Sequence, residues 1–171
     1  LHPALAHTRE LVVGAAPPIT GRFASAGGGL HQGLGDYCEW RNQAKGGVAG
    51  RKLRYIGEDS GYKMDQAMAV FKKIMGAHKP PVFYGDSTAW AKAAAKAESQ
   101  LGTTLTCSPS FSSDLADPKN VPYYFMAGPT YTAMGEILLE YINRTSRGTS
   151  KPAVAVVYSD TEFGRDPVPG I

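Results

Sequence analysis

Three short stretches of this chain gather hydroxyl groups beside a turn: Gly85-Asp86-Ser87-Thr88, Cys107-Ser108-Pro109-Ser110-Phe111-Ser112-Ser113 and Ser159-Asp160-Thr161-Glu162-Phe163. A fourth stretch, Pro17–Phe23 (PPITGRF), is a turn rich in proline and glycine. Ser87 or Thr88 at the start of a helix offers a side-chain hydroxyl beside free backbone N–H groups, a combination that suits a carboxylate. The same residues also serve as plain helix caps with no ligand, and the sequence leaves both readings open. Phe111 is flanked by serines. A large ring in a polar loop either plugs the core from above or lines a pocket, and the pocket is the better reading. Trp90 shares a helical stripe with Ala94, Ala97 and Leu101, which favours core packing. Phe23 is either a pocket wall or a loop residue.

Other chemistry is thin. His2 and His7 lie in the tail and His78 ends a helix, so His31 is the one histidine able to approach Ser87 or Ser110 as a base. The strained G-x-S-x-G elbow is absent. Asp59, Asp86 and Asp160 are scattered acids. A small serine hydrolase resting on Ser87 and His31 is therefore the least favoured function. Cys38 and Cys107 show neither a CxxC motif nor metal-ligand spacing and read as two buried thiols rather than a disulfide. No cofactor or metal is called for. The glycine-rich stretch KGGVAGRKLRYIGED (45–59) resembles a phosphate loop at first sight. Phosphate loops follow a strand and open a helix, whereas this one follows a helix and opens a strand. Gly46 or Gly47 is better placed as a left-handed helix cap.

The elements that must position these groups alternate. Strands are expected at Glu10–Ala15, Leu53–Gly57, Val82–Tyr84, Thr104–Cys107, Tyr123–Met126 and Ala153–Tyr158. Helical spacing runs over about 28–44 through Leu30, Leu34, Tyr37, Cys38 and Ala44. It recurs through Met64, Ala67, Met68, Phe71, Ile74 and Met75, then from Trp90 to Leu101. Met134, Ile137, Leu138, Tyr141 and Ile142 make the inner face of a fourth helix. Strands separated by helices predict βαβ units, so the fold class is α/β with a doubly wound parallel sheet. Ligands of such sheets bind beyond the carboxyl ends of the strands, where the four stretches above fall.

Bulk properties describe a soluble globular protein. The 171 residues carry 43% apolar and 19% charged side chains and a net charge of +3, too small and too dispersed for a nucleic-acid groove. The longest apolar run, Ala153–Tyr158, is far below the roughly 20 residues of a membrane span. Ala4-Leu5-Ala6 fits the end of a secretory leader cleaved near Ala6, so residues 1–6 are a leader remnant or an artificial tail.

Six segments carry a resemblance: VVGAAPPITGRFASAG (12–27), NQAKGGVAGRKLRYIGED (42–59), YGDSTAWAKA (84–93), SPSFSSDLAD (108–117), VPYYFMAGPT (121–130) and VAVVYSDTEFGRD (154–166). In this order and spacing the chain resembles the type I periplasmic solute-binding proteins of ABC transporters, in the branched-chain amino acid receptor group. The resemblance implies two doubly wound lobes that close on a solute without changing it. Residues 7–128 would form the first lobe, 129–151 a crossover helix and linker, and 152–171 the start of a truncated second lobe, so the chain looks like an N-terminal fragment. It implies ligand contacts at Ser87, Thr88, Ser110 and Phe111, with Phe163 near the start of the second lobe; Ser112 and Phe23 join them as candidates from their own loops. Phe111 stands where the family has a threonine, and Ala26 where it often has an aromatic. A hydroxyl lost from an ammonium partner weakens amino acid binding by about 1–3 kcal/mol, and a ring there suits an apolar or aromatic acid.

The function implied is an extracytoplasmic, periplasmic solute receptor of an ABC importer. Its partners would be an amino acid, amide or aromatic acid and a membrane permease, with no nucleic acid. The alternative is a ligand-sensing domain of a receptor or regulator. Residues 153–158, an apolar strand without its lobe, would also pair two copies of the fragment into a dimer.

Overall fold

A computed structural model describes residues 10–102, 104–146, 148 and 152–171. Strand β1 (Glu10–Ala15) leads through the Pro17-Pro18 turn into helix α1 (Ala24–Lys45). Then come β2 (Lys52–Gly57), α2 (Met64–His78), β3 (Val82–Tyr84), α3 (Thr88–Leu101) and β4 (Leu105–Cys107). A 3-10 turn at Ser113–Leu115 precedes α4 (Tyr131–Thr145), the single-turn α5 (Glu162–Arg165) and a last 3-10 turn at Val168–Gly170. The four strands are parallel in the order β2-β1-β3-β4. The chain thus winds outward from β1 first to one side and then to the other. Right-handed crossovers place α1 on one face and α2 and α3 on the other, which is the doubly wound α/β fold that the alternation predicts.

The core lies between the sheet and the α2–α3 layer. Ala67, Val70, Phe71 and Ile74 supply the α2 stripe, and Trp90, Ala91, Ala94 and Ala95 that of α3. The alanines on α3 let the helix approach closely, which leaves room for one large side chain. Trp90 fills it, stacked on Phe83 at 5.5 Å and edge-on to Phe71 at 5.6 Å. On the opposite face, Asn42 of α1 ties the edge strand by accepting from Leu53 N–H and donating to Leu53 C=O, both at 2.7 Å.

The glycine-rich corner is structural. Gly46 ends α1 in the left-handed region at φ 69°, and Val48 and Arg51 form a tight antiparallel bridge. Gly47 has φ 93°, and a Cβ there would lie 2.0 Å from the Arg51 carbonyl oxygen, so both conformation and space demand glycine.

Three expectations change. Tyr123–Met126 is not a strand: one parallel bridge joins Tyr124 to Thr106, because β4 is only three residues long and Tyr124 turns its side chain into the core. Ala153–Tyr158 is not a strand either, since no described strand lies beside it, and Val157 is 97% exposed. The intended inner face of α4 is open, with Ile137, Leu138 and Tyr141 exposed and no residue of the helix fully buried. Cys38 and Cys107 are free thiols, Cys38 buried and Cys107 partly so. Burial pushes the Cys107 thiol up to about 11.

Candidate functional site

The strand order reverses between β1 and β3, and a pocket of about 170 Å³ opens beyond their carboxyl ends. Pro18, Phe23, Ala26, Gly27 and Leu30 come from the β1–α1 junction, Tyr62 from the β2–α2 turn, and Asp86, Ser87 and Thr88 from the β3–α3 junction. Pro109 and Phe163 complete the wall. Its surface is mostly apolar, and its polar groups are those at the start of α3 and the Tyr62 phenol.

Ser87 is the N-cap of α3. Its Oγ accepts from Trp90 N–H at 3.2 Å and donates to Asp86 Oδ1 at 2.7 Å, so its one proton and one of its lone pairs are in use. The Thr88 hydroxyl accepts from Ser110 Oγ at 2.8 Å and keeps its own proton to donate. The N–H groups of Thr88 and Ala89 lie in the first helical turn, where no intrahelical acceptor exists. These donors and the positive end of α3 make a surface for a carboxylate. Capping and ligand recognition are therefore compatible here, carried by neighbouring residues.

Asp86 is only 2% exposed and receives a second hydrogen bond from Ser60 Oγ at 2.7 Å. Burial raises the pKa of its carboxyl, the Ser87 and Ser60 hydroxyls pull the other way, and burial prevails. Ser60 also accepts the N–H of Tyr62, whose backbone sits at φ 55°, and this turn aims the Tyr62 ring at Phe23, 4.2 Å away between centroids. Asp59 fixes the other side of the loop by accepting from Thr20 and from Gly61 N–H; burial would raise its carboxyl, but these bonds prevail and lower it.

Of the residues singled out in sequence, Phe23, Ser87, Thr88 and Phe163 come together at the pocket. Ser110 stands directly behind Thr88, fully buried, while the Tyr124 hydroxyl donates to its carbonyl. Burial pushes that phenol up to about 12. Ser112 lies farther off, capping the first 3-10 turn and donating to Asp166. Phe111 is not among the lining residues of the pocket and meets Tyr131 edge-on at 5.8 Å. His31 faces the Tyr55 hydroxyl at 3.0 Å, so the structure does not pair it with Ser87. Trp90 is core. Among the described residues no group of three or more His, Cys, Asp or Glu is placed to hold a metal ion.

Sequence reading missed Ser60 and Tyr62 and took Asp86 for a scattered acid. The signal was available: Glu58–Lys63 follows β2 just as the other loops follow their strands. The short α5 is held against α3 and the first 3-10 turn by Lys92, whose ammonium lies 2.8 Å from Asp114, 3.2 Å from Glu162 and 3.3 Å from Asp166. This set of contacts keeps Phe163, the second residue of α5, over the pocket.

Residues 10–171 match the family model described as "Periplasmic binding protein". A search of the curated proteins by sequence finds no match. Among solved structures, a branched-chain amino acid ABC transporter protein from Thermus thermophilus with bound valine is 30% identical, with a TM-score of 0.81 over 94% of this chain and 40% of that one. A solute-binding protein of an ABC transporter from Rhodopseudomonas palustris BisB5, in complex with 3,4-dihydroxybenzoic acid, is 21% identical with a TM-score of 0.76, over 95% of this chain and 43% of that one. A fatty acid ABC transporter substrate-binding protein from Thermomonospora curvata, 20% identical over 94% of this chain and 40% of that one, reaches 0.78. The chain spans about 40% of the length of such structures. It belongs to the periplasmic binding protein family, whose members are solute receptors and not enzymes.

Proposed function

We propose that this periplasmic binding protein is the extracytoplasmic solute receptor of an ABC importer, holding an amino acid or related small organic acid between two lobes and releasing it unchanged. One observation carries the reading. At the topological switch point, an apolar pocket meets a helix start whose Thr88 hydroxyl and first-turn N–H groups are free to donate. That pairing fits a small molecule with a carboxylate and an apolar body. The Thermus and Rhodopseudomonas relatives, one with valine and the other with an aromatic acid, support both classes of solute.

In this reading residues 7–128 are the first lobe, 129–151 the crossover helix and linker, and 152–171 the start of the second lobe. Phe23, Ser87, Thr88 and Phe163 face the solute, Ser110 and Ser112 brace them, and Phe111 braces Tyr131. The protein works in the periplasm and delivers to a membrane permease. No helix among the described residues is long and apolar enough to cross a membrane.

Titration calorimetry against amino acids, aromatic acids and amides tests the function. Binding by one class supports it, and silence across all three overturns it. We also propose that exposed Val154, Val156, Val157 and Tyr158, beside the open α4 face, pair two copies of this chain. Light scattering at high protein concentration should give a dimer mass, and a monomer mass would refute the pairing.

A further inference from the structure

We propose that Asp86 is the counter-charge for the cationic end of the solute: the pocket takes a small ammonium-bearing ligand with an apolar or aromatic body and discriminates against the same body without its ammonium. The inference rests on the receptor reading and deepens it.

Asp86 lines the pocket, is almost wholly removed from water, and holds two neutral donors, Ser60 Oγ and Ser87 Oγ. Among the described residues no Lys, Arg or His forms an ion pair with it. A buried carboxylate without a cation is a costly arrangement, and the same chain shows the usual remedy nearby. The Asp166 carboxylate, 6% exposed, receives Lys92 in addition to its hydroxyl donor Ser112. At Asp166 the chain supplies a cation; at Asp86, among the described residues, it supplies none.

The surroundings suit a cation from outside. Phe23, Tyr62 and Phe163 put three aromatic rings on the pocket wall, and ring faces attract ammonium groups. The other titratable and charged groups close by are the Tyr62 phenol and the exposed Arg22. In the adjoining cavity, Glu162 and Asp160 are already occupied by Lys92 and Arg165. Asp86 is therefore the one carboxylate among the residues lining this pocket. A ligand that also carries a carboxylate would direct it to the first turn of α3.

Two matched sets test the assignment on the 171-residue chain, with ligands up to millimolar concentration. One is L-leucine, 3-methylbutylamine and 4-methylpentanoate; the other is L-phenylalanine, phenethylamine and 3-phenylpropionate. We expect calorimetry to show the ammonium-bearing members of at least one set binding ten times or more tightly than its deaminated acid. Asp86→Asn should erase that preference. Acids binding as well as their amino counterparts, or a preference that survives the substitution, would overturn the role of Asp86 and leave the receptor function standing. Silence of the unaltered chain toward every member would overturn the role of Asp86, while the receptor reading stands or falls on the wider panel of amino acids, aromatic acids and amides. A second measurement needs no variant. Phenethylamine stays cationic in acid, so its affinity should fall, approaching about tenfold per pH unit, once Asp86 is protonated. A flat profile down to pH 4 refutes the assignment even if Asp86→Asn does not fold.

Discussion

Gly85→Ala tests how the fold places its site. Gly85 is the single residue between β3 and the Asp86-Ser87 turn, and its φ lies outside the left-handed region, so an added methyl group acts through space alone. A Cβ there would sit 1.8 Å from Trp90 Cε3 and 2.2 Å from Cζ3. Carbon atoms rest about 3.5–4.0 Å apart, so the indole or the turn must move by about 2 Å. The indole has no open direction: Phe83 stacks on it and Phe71 meets it edge-on, both buried. Overpacking a close-fitted core costs about 1–3 kcal/mol and sometimes more, and a displacement this large belongs at the upper end. Trp90→Leu alone leaves a cavity and should cost about 2–4 kcal/mol. Combined with Gly85→Ala it gives the methyl group a place, so the double variant should be more stable than the sum of the two by about 1–3 kcal/mol. Urea unfolding followed by far-ultraviolet circular dichroism measures all four chains without relying on the fluorescence that Trp90→Leu changes. A Gly85→Ala chain within about 0.5 kcal/mol of the parent, or strict additivity within that margin, would refute the packing account.

Three further outcomes follow from particular contacts. Phe111→Thr removes the ring that meets Tyr131 outside the pocket; it should lower stability by about 1–3 kcal/mol in thermal melts and leave solute affinity within twofold, whereas a change in affinity would put residue 111 in the site. Lys92→Met leaves the Asp166 carboxylate without its cation, so amides across Thr161–Gly170 should exchange with deuterium faster while those of β1 and β3 keep their protection; equal protection throughout would show that Lys92 does not hold α5. Burial raises the Asp86 carboxyl above its ordinary range, so the folded chain holds that proton more tightly than the unfolded one. That contribution is fully present below the unfolded value of about 3.9 and is lost as pH rises through the folded value. In the absence of ligand, Asp86→Asn should therefore gain stability relative to the parent as pH rises through that window; a pH-independent difference in urea unfolding would contradict the burial argument.

What the sequence disclosed and what it withheld divide along physical lines. The parallel sheet was legible because the apolar runs and helical stripes are local signals, and they agree at β1, α2, β3 and α3 with the observed elements. Tyr123–Met126 and Ala153–Tyr158 have the same composition as strands, yet a strand exists only where another offers its hydrogen bonds, and no residue pattern within the segment carries that partner. The open stripe of α4 fails for the same reason. Near the pocket, the helix cap at Ser87 was legible because a hydroxyl at a helix start has few uses. Phe111 was ambiguous because a ring in a polar loop says only that it needs cover, and Tyr131, twenty residues onward, supplies it. Asp86 was hidden most completely. Its meaning depends on being buried, on Ser60 from another loop, and on the lack of a cation around it, none of which its neighbours in sequence express. Phe111 meets Tyr131 and is not a lining residue of the pocket, whereas Asp86 is, and that exchange is the ground for proposing an ammonium-bearing solute over an acid without one.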